Sequence, residues 1–173
     1  DQAPRGSVVV SGNGWRASRA IDVAVSMAPD VTLKLRSRVR VHHGTAEVMA
    51  RVARIGATAA SVMAVRLALD EPLVARAGDR FVLRSWSPVT TIGGGLITDP
   101  WAGREAGQRR RRNPPEIPAS NDAAHVAAMV RRRGAGGMAE EALAVASGYH
   151  VSRLTAALAG ARDLGMVSQA GWH

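Results

Sequence analysis

Three consecutive glycines, Gly93-Gly94-Gly95, stand between Ile92 and Leu96 in an otherwise apolar run. Adjacent glycines weaken a strand through backbone entropy, so a strand keeps them where the chain must bend or where another backbone or a ligand comes close. The residues before them read as a hairpin. Gly78-Asp79 is a turn dipeptide, Phe81 and Leu83 share one face of the stretch Arg80 to Arg84, and Ser85 to Pro88 is a second loop leading into the glycine run.

Upstream, the same period of two recurs. From Ser18, residues Ile21, Val23, Val25 and Met27 alternate with Asp22, Ala24 and Ser26, and Pro29-Asp30 ends the run. Leu33 to Val41 reads as the next strand, with Leu33, Leu35, Val39 and Val41 facing inward and Lys34, Arg36, Arg38 and Arg40 in an outward row. Same-face residues on a strand lie ~6.6 to 6.8 Å apart, comparable with successive phosphates on a nucleic acid. The row therefore suits either phosphate tracking or the solvated outer face of an antiparallel sheet. His42-His43-Gly44-Thr45 turns the chain into a strand from Glu47 to Ile55, and adjacent histidines on extended chain point to opposite sides, which makes them poor metal partners. Gly56 to Ser61 reads as a loop. A strand with Met63, Val65, Leu67 and Leu69 on one face follows, closed by Pro72, and Arg5 to Val10 reads as a short strand finishing something that began before residue 1. About six antiparallel strands with no intervening helix predict a small closed barrel.

Residues 102–118 break every pattern, with Gly103, Gly107, the run Arg109, Arg110, Arg111 and Arg112, then Pro114-Pro115 and Pro118. Such a segment is expected to be a solvated, extended linker, its arginines either a nucleic-acid or ribosome contact or simple filler. Residues 119–173 switch to helical period. Ser120-Asn121-Asp122 supplies an N-cap and first-turn acid, Val126, Met129 and Val130 form an apolar stripe, and Arg131 to Arg133 sit where a helix dipole favours cations, before Gly134. A second helix is expected over about Met138 to Ala146. A third carries Leu154, Leu158 and Ala161 on one face as far as Gly165, and Met166 to Gln169 reads as a strand. That order is a helix-turn-helix with the first strand of a wing, whose partner strand would lie beyond His173.

Charge and composition bound the function. The net charge is +9 over 173 residues, and of 23 basic residues only Lys34 is a lysine. Arginine's bidentate fork favours phosphate partners, although a genome rich in arginine codons would give the same preference. Only 3% of residues are aromatic, so the cores must be built from Val, Leu, Ile, Met and Ala. Zero cysteines exclude disulfides, thiolate zinc sites and a thiol nucleophile. No apolar run reaches the ~18 residues of a spanning helix, so no membrane is expected and the expected location is cytoplasmic. No Gly-x-x-x-x-Gly-Lys-Ser/Thr loop occurs, so the chain is not expected to be a GTPase by itself, and no catalytic site or metal site is read.

Phe81-x-x-Arg84, a loop, and then Thr91-Ile92-Gly93-Gly94-Gly95 resembles the last hairpin in the third domain of elongation-factor-Tu-like translation factors. Together with Val41-His42-His43-Gly44-Thr45-Ala46-Glu47-Val48, it is similar to the selenocysteine-specific elongation factors, over roughly residues 5 to 100. The resemblance implies a multidomain β plus α chain: residues 1–14 the tail of a preceding barrel, 15–101 an antiparallel β-barrel like the third domain, 102–118 a linker, and 119–173 a winged-helix domain cut within its wing. It implies a monomeric factor that delivers selenocysteinyl-tRNA to the ribosome and recognises an mRNA hairpin through later winged helices. GTP and Mg would bind only in an N-terminal domain outside this chain, with no cofactor here. The residues carried over as tRNA contacts are His43, Gly44 and Thr45, then Arg84, Ser85 and Trp86; Ser85-Trp86-Ser87-Pro88 departs from the glycine-rich loop of the general factor. A second expectation is a regulator whose winged helix reads nucleic acid while the barrel dimerises or binds a ligand. Against it, residues 119–173 carry five basic and four acidic residues, a thin surplus for holding a phosphate backbone.

Overall fold

In the computed structural model, which describes residues 6–102, 115–116, 121–165 and 167, six strands precede three helices. The strands are β1 (Ala17–Met27), β2 (Arg38–His43), β3 (Ala46–Ala59), β4 (Val62–Val74), β5 (Arg80–Ser85) and β6 (Thr91–Asp99). All neighbours are antiparallel, and the ring closes in the order β1-β4-β3-β2-β5-β6. Closure leaves no sheet edge exposed. The interior is aliphatic, as the composition requires: Ile21, Val23, Val25, Val39, Val41, Val52, Val65, Leu67, Leu83 and Ile97 are all buried, with Phe81 the one aromatic ring in that core.

In the glycine run β6 passes close to the backbones of both neighbours. A Cβ on Gly93 would lie 2.6 Å from the Ser26 carbonyl oxygen, one on Gly94 2.9 Å from that of Phe81, and one on Gly95 would overlap that of Ala24. Of the two reasons for keeping glycine in a strand, close backbone approach is therefore the one at work. Gly44, at the first central position of the two-residue β2–β3 turn, has φ +56, the left-handed value a primed hairpin turn needs there.

Several expected boundaries move. Residues 7–11 form no strand, and Val8, Val9 and Val10 are exposed. Leu33 to Ser37 is not strand either: Ser37 N–H donates to Lys34 C=O, Arg36 takes φ +68, and Leu33 is buried while Leu35 is exposed. This turn removes Lys34 and Arg36 from the outward row of β2, which keeps only Arg38 and Arg40. Residues 56–59, expected as loop, extend β3, so the turn shrinks to Ala60-Ser61. Pro72 does not end β4, which runs on to Val74; it sits where Ser18 and Ala20 of β1 face Leu73 and Ala68, a register break that tolerates a residue without an N–H.

The helices are α1 (Asp122–Arg132), α2 (Glu140–Ser147) and α3 (Val151–Asp163), with a 3-10 turn at Gly134–Gly136. Asn121 caps α1, its Oδ1 accepting from Ala124 N–H at 2.7 Å. Gly148 ends α2 in the left-handed conformation. Val126, Met129, Leu143, Ala146, Leu154 and Ala157 bury a second core, which Trp101 and Ala77 of the barrel join. The architecture is thus a six-stranded antiparallel barrel followed by a three-helix bundle, in keeping with an elongation-factor-Tu-like barrel and a winged-helix arrangement. Of the expected strand Met166 to Gln169, only Val167 is described, and it lies in no strand; the rest falls outside the described residues.

At the half-buried margin of the bundle, His125 Nδ1 lies 3.0 Å from the Tyr149 hydroxyl, which donates to Asp122 Oδ1 at 2.9 Å. Burial pushes the His125 imidazole below its usual range, against the Thr98 backbone and the Asp122 charge. Its folded pKa lies under the unfolded value of about 6.5, so its contribution to stability is present above that pH and is lost as pH falls toward the folded value. Thermal unfolding followed from about pH 8 down to about pH 5 should show stability declining below about 6.5. His125→Asn, which keeps a donor near the Nδ1 position, should lose that decline.

Candidate nucleic-acid interface

The outward faces of β3, β2 and β5 form one basic surface. Val39 and Val41 point into the core, so the pleat turns Arg38 and Arg40 outward. Antiparallel register then sets Arg38 directly opposite Arg51 of β3, and Arg40 directly opposite Arg84 of β5. Like charges facing each other across a ladder are destabilising. Two such pairs share this face, with partial compensation: Arg40 is 2.5 Å from Glu47, and Arg38 is 3.4 Å from Asp70. Arg40 draws the Glu47 carboxyl below its usual range.

Trp86, 46% exposed, covers this cluster from the loop after β5. The Arg38 guanidinium carbon lies 4.7 Å from its ring centroid and that of Arg40 5.2 Å, both within cation–π range. Ser85 fixes the base of that loop, its hydroxyl donating to Pro88 C=O and accepting from Thr90 N–H at 3.1 Å. Arg84 reaches Val89 C=O only at 3.5 Å, and its Nε is buried without a partner, as is that of Arg40.

The candidates taken from sequence fall into two places. Arg84, Ser85 and Trp86 lie beside Arg38 and Arg40, because Val39 pairs with Ser85. His43, Gly44 and Thr45 lie at the other end of β2, about four residues or ~14 Å along the strand. There His43 Nε2 is 3.2 Å from Asp79 Oδ2, and Gly44 and Thr45 are exposed. Only an extended partner could touch both ends. Lys34 and Arg36 are exposed on the turn before β2, off the ladder. Arg109, Arg110, Arg111 and Arg112 lie outside the described residues. Sequence reasoning did not single out Arg51; its place opposite Arg38 follows from the two-residue turn, which pairs residues whose numbers sum to 89.

On the bundle, the best-placed cation of the third helix is already engaged. Arg153 donates to Asp122 through Nε at 2.7 Å and Nη2 at 2.8 Å, and stacks over Tyr149 at 4.0 Å. Those hydrogen bonds hold the Asp122 carboxyl down at about 2.

Among the described residues no group of three or more His, Cys, Asp and Glu side chains could hold a metal ion. No described helix is long and apolar enough to cross a membrane.

Residues 20–103 match the family described as the selenocysteine-specific elongation factor, beta-barrel domain. The matched stretch is the barrel. Among solved structures, a bacterial selenocysteine-specific elongation factor EF-Sec aligns at 17% identity and a TM-score of 0.51, covering 81% of this chain and 22% of its own. Translation elongation factor SelB from Methanococcus maripaludis, in its apo form, aligns at 17% identity and a TM-score of 0.42, covering 49% of this chain and 23% of its own. This chain thus spans under a quarter of the length of those structures. No curated protein sequence matches it. The barrel resembles the corresponding domain of the SelB and EF-Sec elongation factors, with a helical region adjoining it.

Proposed function

We propose that this chain is a piece of a cytoplasmic, monomeric selenocysteine-specific elongation factor whose barrel contributes part of the selenocysteinyl-tRNA surface. The bundle links that barrel to RNA-binding modules that engage an mRNA hairpin at the ribosome, and GTP and Mg belong to a domain outside this chain. No catalysis is assigned to the barrel or the bundle. The observation that carries the reading is the pair of directly opposed arginine couples, Arg38 with Arg51 and Arg40 with Arg84. The fold offsets such juxtaposition only in part, through Glu47, Asp70 and the Trp86 ring, whereas a polyanion bridging the four guanidiniums relieves it further. The exposed Trp86 ring beside them suits ribose or base contact. Phosphate contacts of this kind position an RNA without reading its sequence.

A regulator reading nucleic acid through α3 is the weaker account, because Arg153 is committed to Asp122. The test is the salt dependence of tRNA binding by the intact chain. Neutralising Arg38, Arg40 and Arg84 together, each to glutamine, removes three phosphate contacts and should lower the slope of log affinity against log salt by up to ~2 to 3. Arg162→Gln on α3 should leave the slope unchanged. An unaltered slope in the triple variant, with its melting temperature intact, would remove this surface from consideration.

A further inference from the structure

The barrel and the bundle meet through a cluster of buried charges that the RNA reading does not use. Asp22 of β1 and Asp99 at the end of β6 are fully or almost fully buried. Asp22 accepts two bonds from Arg66 of β4, at 2.6 and 2.8 Å, and one from Arg132 of α1 at 2.9 Å. Asp99 accepts two from Arg133, at 2.9 and 3.2 Å, and lies 3.6 Å from Arg132. Arg132 also reaches Glu116, 3.4 Å away. Arg132 therefore ties two barrel strands and the linker to one helix end.

Uncharged contacts extend the seam on both sides. Ala77 N–H donates to Ala146 C=O of α2 at 2.8 Å, Trp101 is buried among the bundle's apolar residues, and its indole N–H donates to Arg16 C=O at 3.3 Å. Pro115 is buried with its carbonyl against Gly56 of β3, so this part of the linker, expected to be solvated, lies on the barrel. Buried ion pairs are weak sources of net stability, and their best-attested use is to fix one arrangement among alternatives, because any other leaves charges buried and unpaired.

The ring order gives that arrangement a direction. β1, which carries Asp22, and β2, which carries Arg38 and Arg40, lie three places apart in a six-stranded ring, on opposite sides of the barrel. We infer that Asp22, Asp99, Arg66, Arg132 and Arg133 form an ionic lock that makes barrel and bundle one rigid body. The lock holds the bundle away from the basic face, so a partner seated on that face does not touch the bundle, and a displacement of either part carries the other with it. This inference stands on the seam alone and holds whether or not the basic face binds RNA.

Paired spin labels read it directly, and the lack of native cysteines makes their placement simple. Labels at Ser61→Cys, on the exposed β3–β4 turn, and Ser152→Cys, on the exposed face of α3, report the distance between the two bodies. The otherwise unaltered chain should give one narrow distance distribution. Asp22→Asn with Asp99→Asn should broaden it roughly twofold or more, toward the relative motion that is the default for linked domains. Asp122→Asn, which breaks an ion pair internal to the bundle, should not. A broad or two-peaked distribution in the unaltered background would overturn the inference without any lock variant having to fold. So would an unchanged width in a folded double variant.

Discussion

Gly95→Val should prevent the barrel from closing. Gly95 pairs with Val25 of β1 on one side and Phe81 of β5 on the other, and any Cβ there would occupy the space of the Ala24 carbonyl oxygen. The obstacle is backbone, which cannot rotate aside as a side chain can. Overpacking in a core costs ~1 to 3 kcal/mol and occasionally more, and here relief requires parting β1 from β6, which opens the ring. A drop at or above the top of that range, seen as lost cooperativity in thermal or denaturant melts, is the expected result. Gly136→Ala is the matched control: nothing beyond its own turn of chain lies within 4 Å of the added methyl, and stability should change by no more than about 0.5 kcal/mol. Equal melting curves for the two variants would mean that β1 and β6 do not pack this closely.

Asp22→Ala should be the most damaging substitution at the seam. It strands the largely buried guanidinium of Arg66 and leaves Arg132, whose Nε already lacks a partner, only its longer contacts to Asp99 and Glu116. Removing one member of a buried ion pair costs ~3 to 5 kcal/mol, because the other charge stays desolvated. Denaturant unfolding should register a loss of that order. Under ~1 kcal/mol would place the pair in the class of solvated surface bridges. The two carboxyls respond differently to acid. Burial drives the Asp22 carboxyl above its usual range despite Arg66 and Arg132, whereas at Asp99 the same burial is outweighed by Arg133 and the Trp101 backbone N–H, and its carboxyl lies below the usual range. Stability contributed by Asp99 is therefore present above the ordinary carboxyl range and is lost as pH falls through its lowered value, while Asp22 takes up its proton first.

The barrel was legible in the sequence because a period of two survives wherever one face of a strand is buried, as in Ile21, Val23 and Val25 or Phe81 and Leu83. It misled at Leu33 to Ser37, where alternation continues through a turn: nothing in Leu-Lys-Leu-Arg-Ser announces that Arg36 takes a left-handed conformation. Pro72 misled for the opposite reason, since a break in register lets a proline stay inside a strand. On the candidate surface, Arg38, Arg40, Arg84 and Trp86 were named from sequence, but their convergence depends on β2 pairing with β5, whose partnered residues stand 40 to 46 positions apart in the chain, which periodicity does not encode. The seam was missed outright. Asp22 reads as one polar residue of a half-buried strand, and Arg132 and Arg133 as charges that favour a helix C-terminus. The available hint was an acid flanked by Ile21 and Val23 at a position that the bundle goes on to cover.

Backbone amide shifts of the intact chain, titrated with a tRNA transcript at low salt, detect weak RNA binding residue by residue. With RNA seated on the basic face of the barrel, Arg38, Arg40, Arg51, Arg84 and Trp86 should shift and the shifts should fade as salt is raised, while Ser152, Thr155 and Ala159 of α3 stay unmoved. Shifts confined to α3, or none on β2 and β5 at saturating RNA, would contradict that seating.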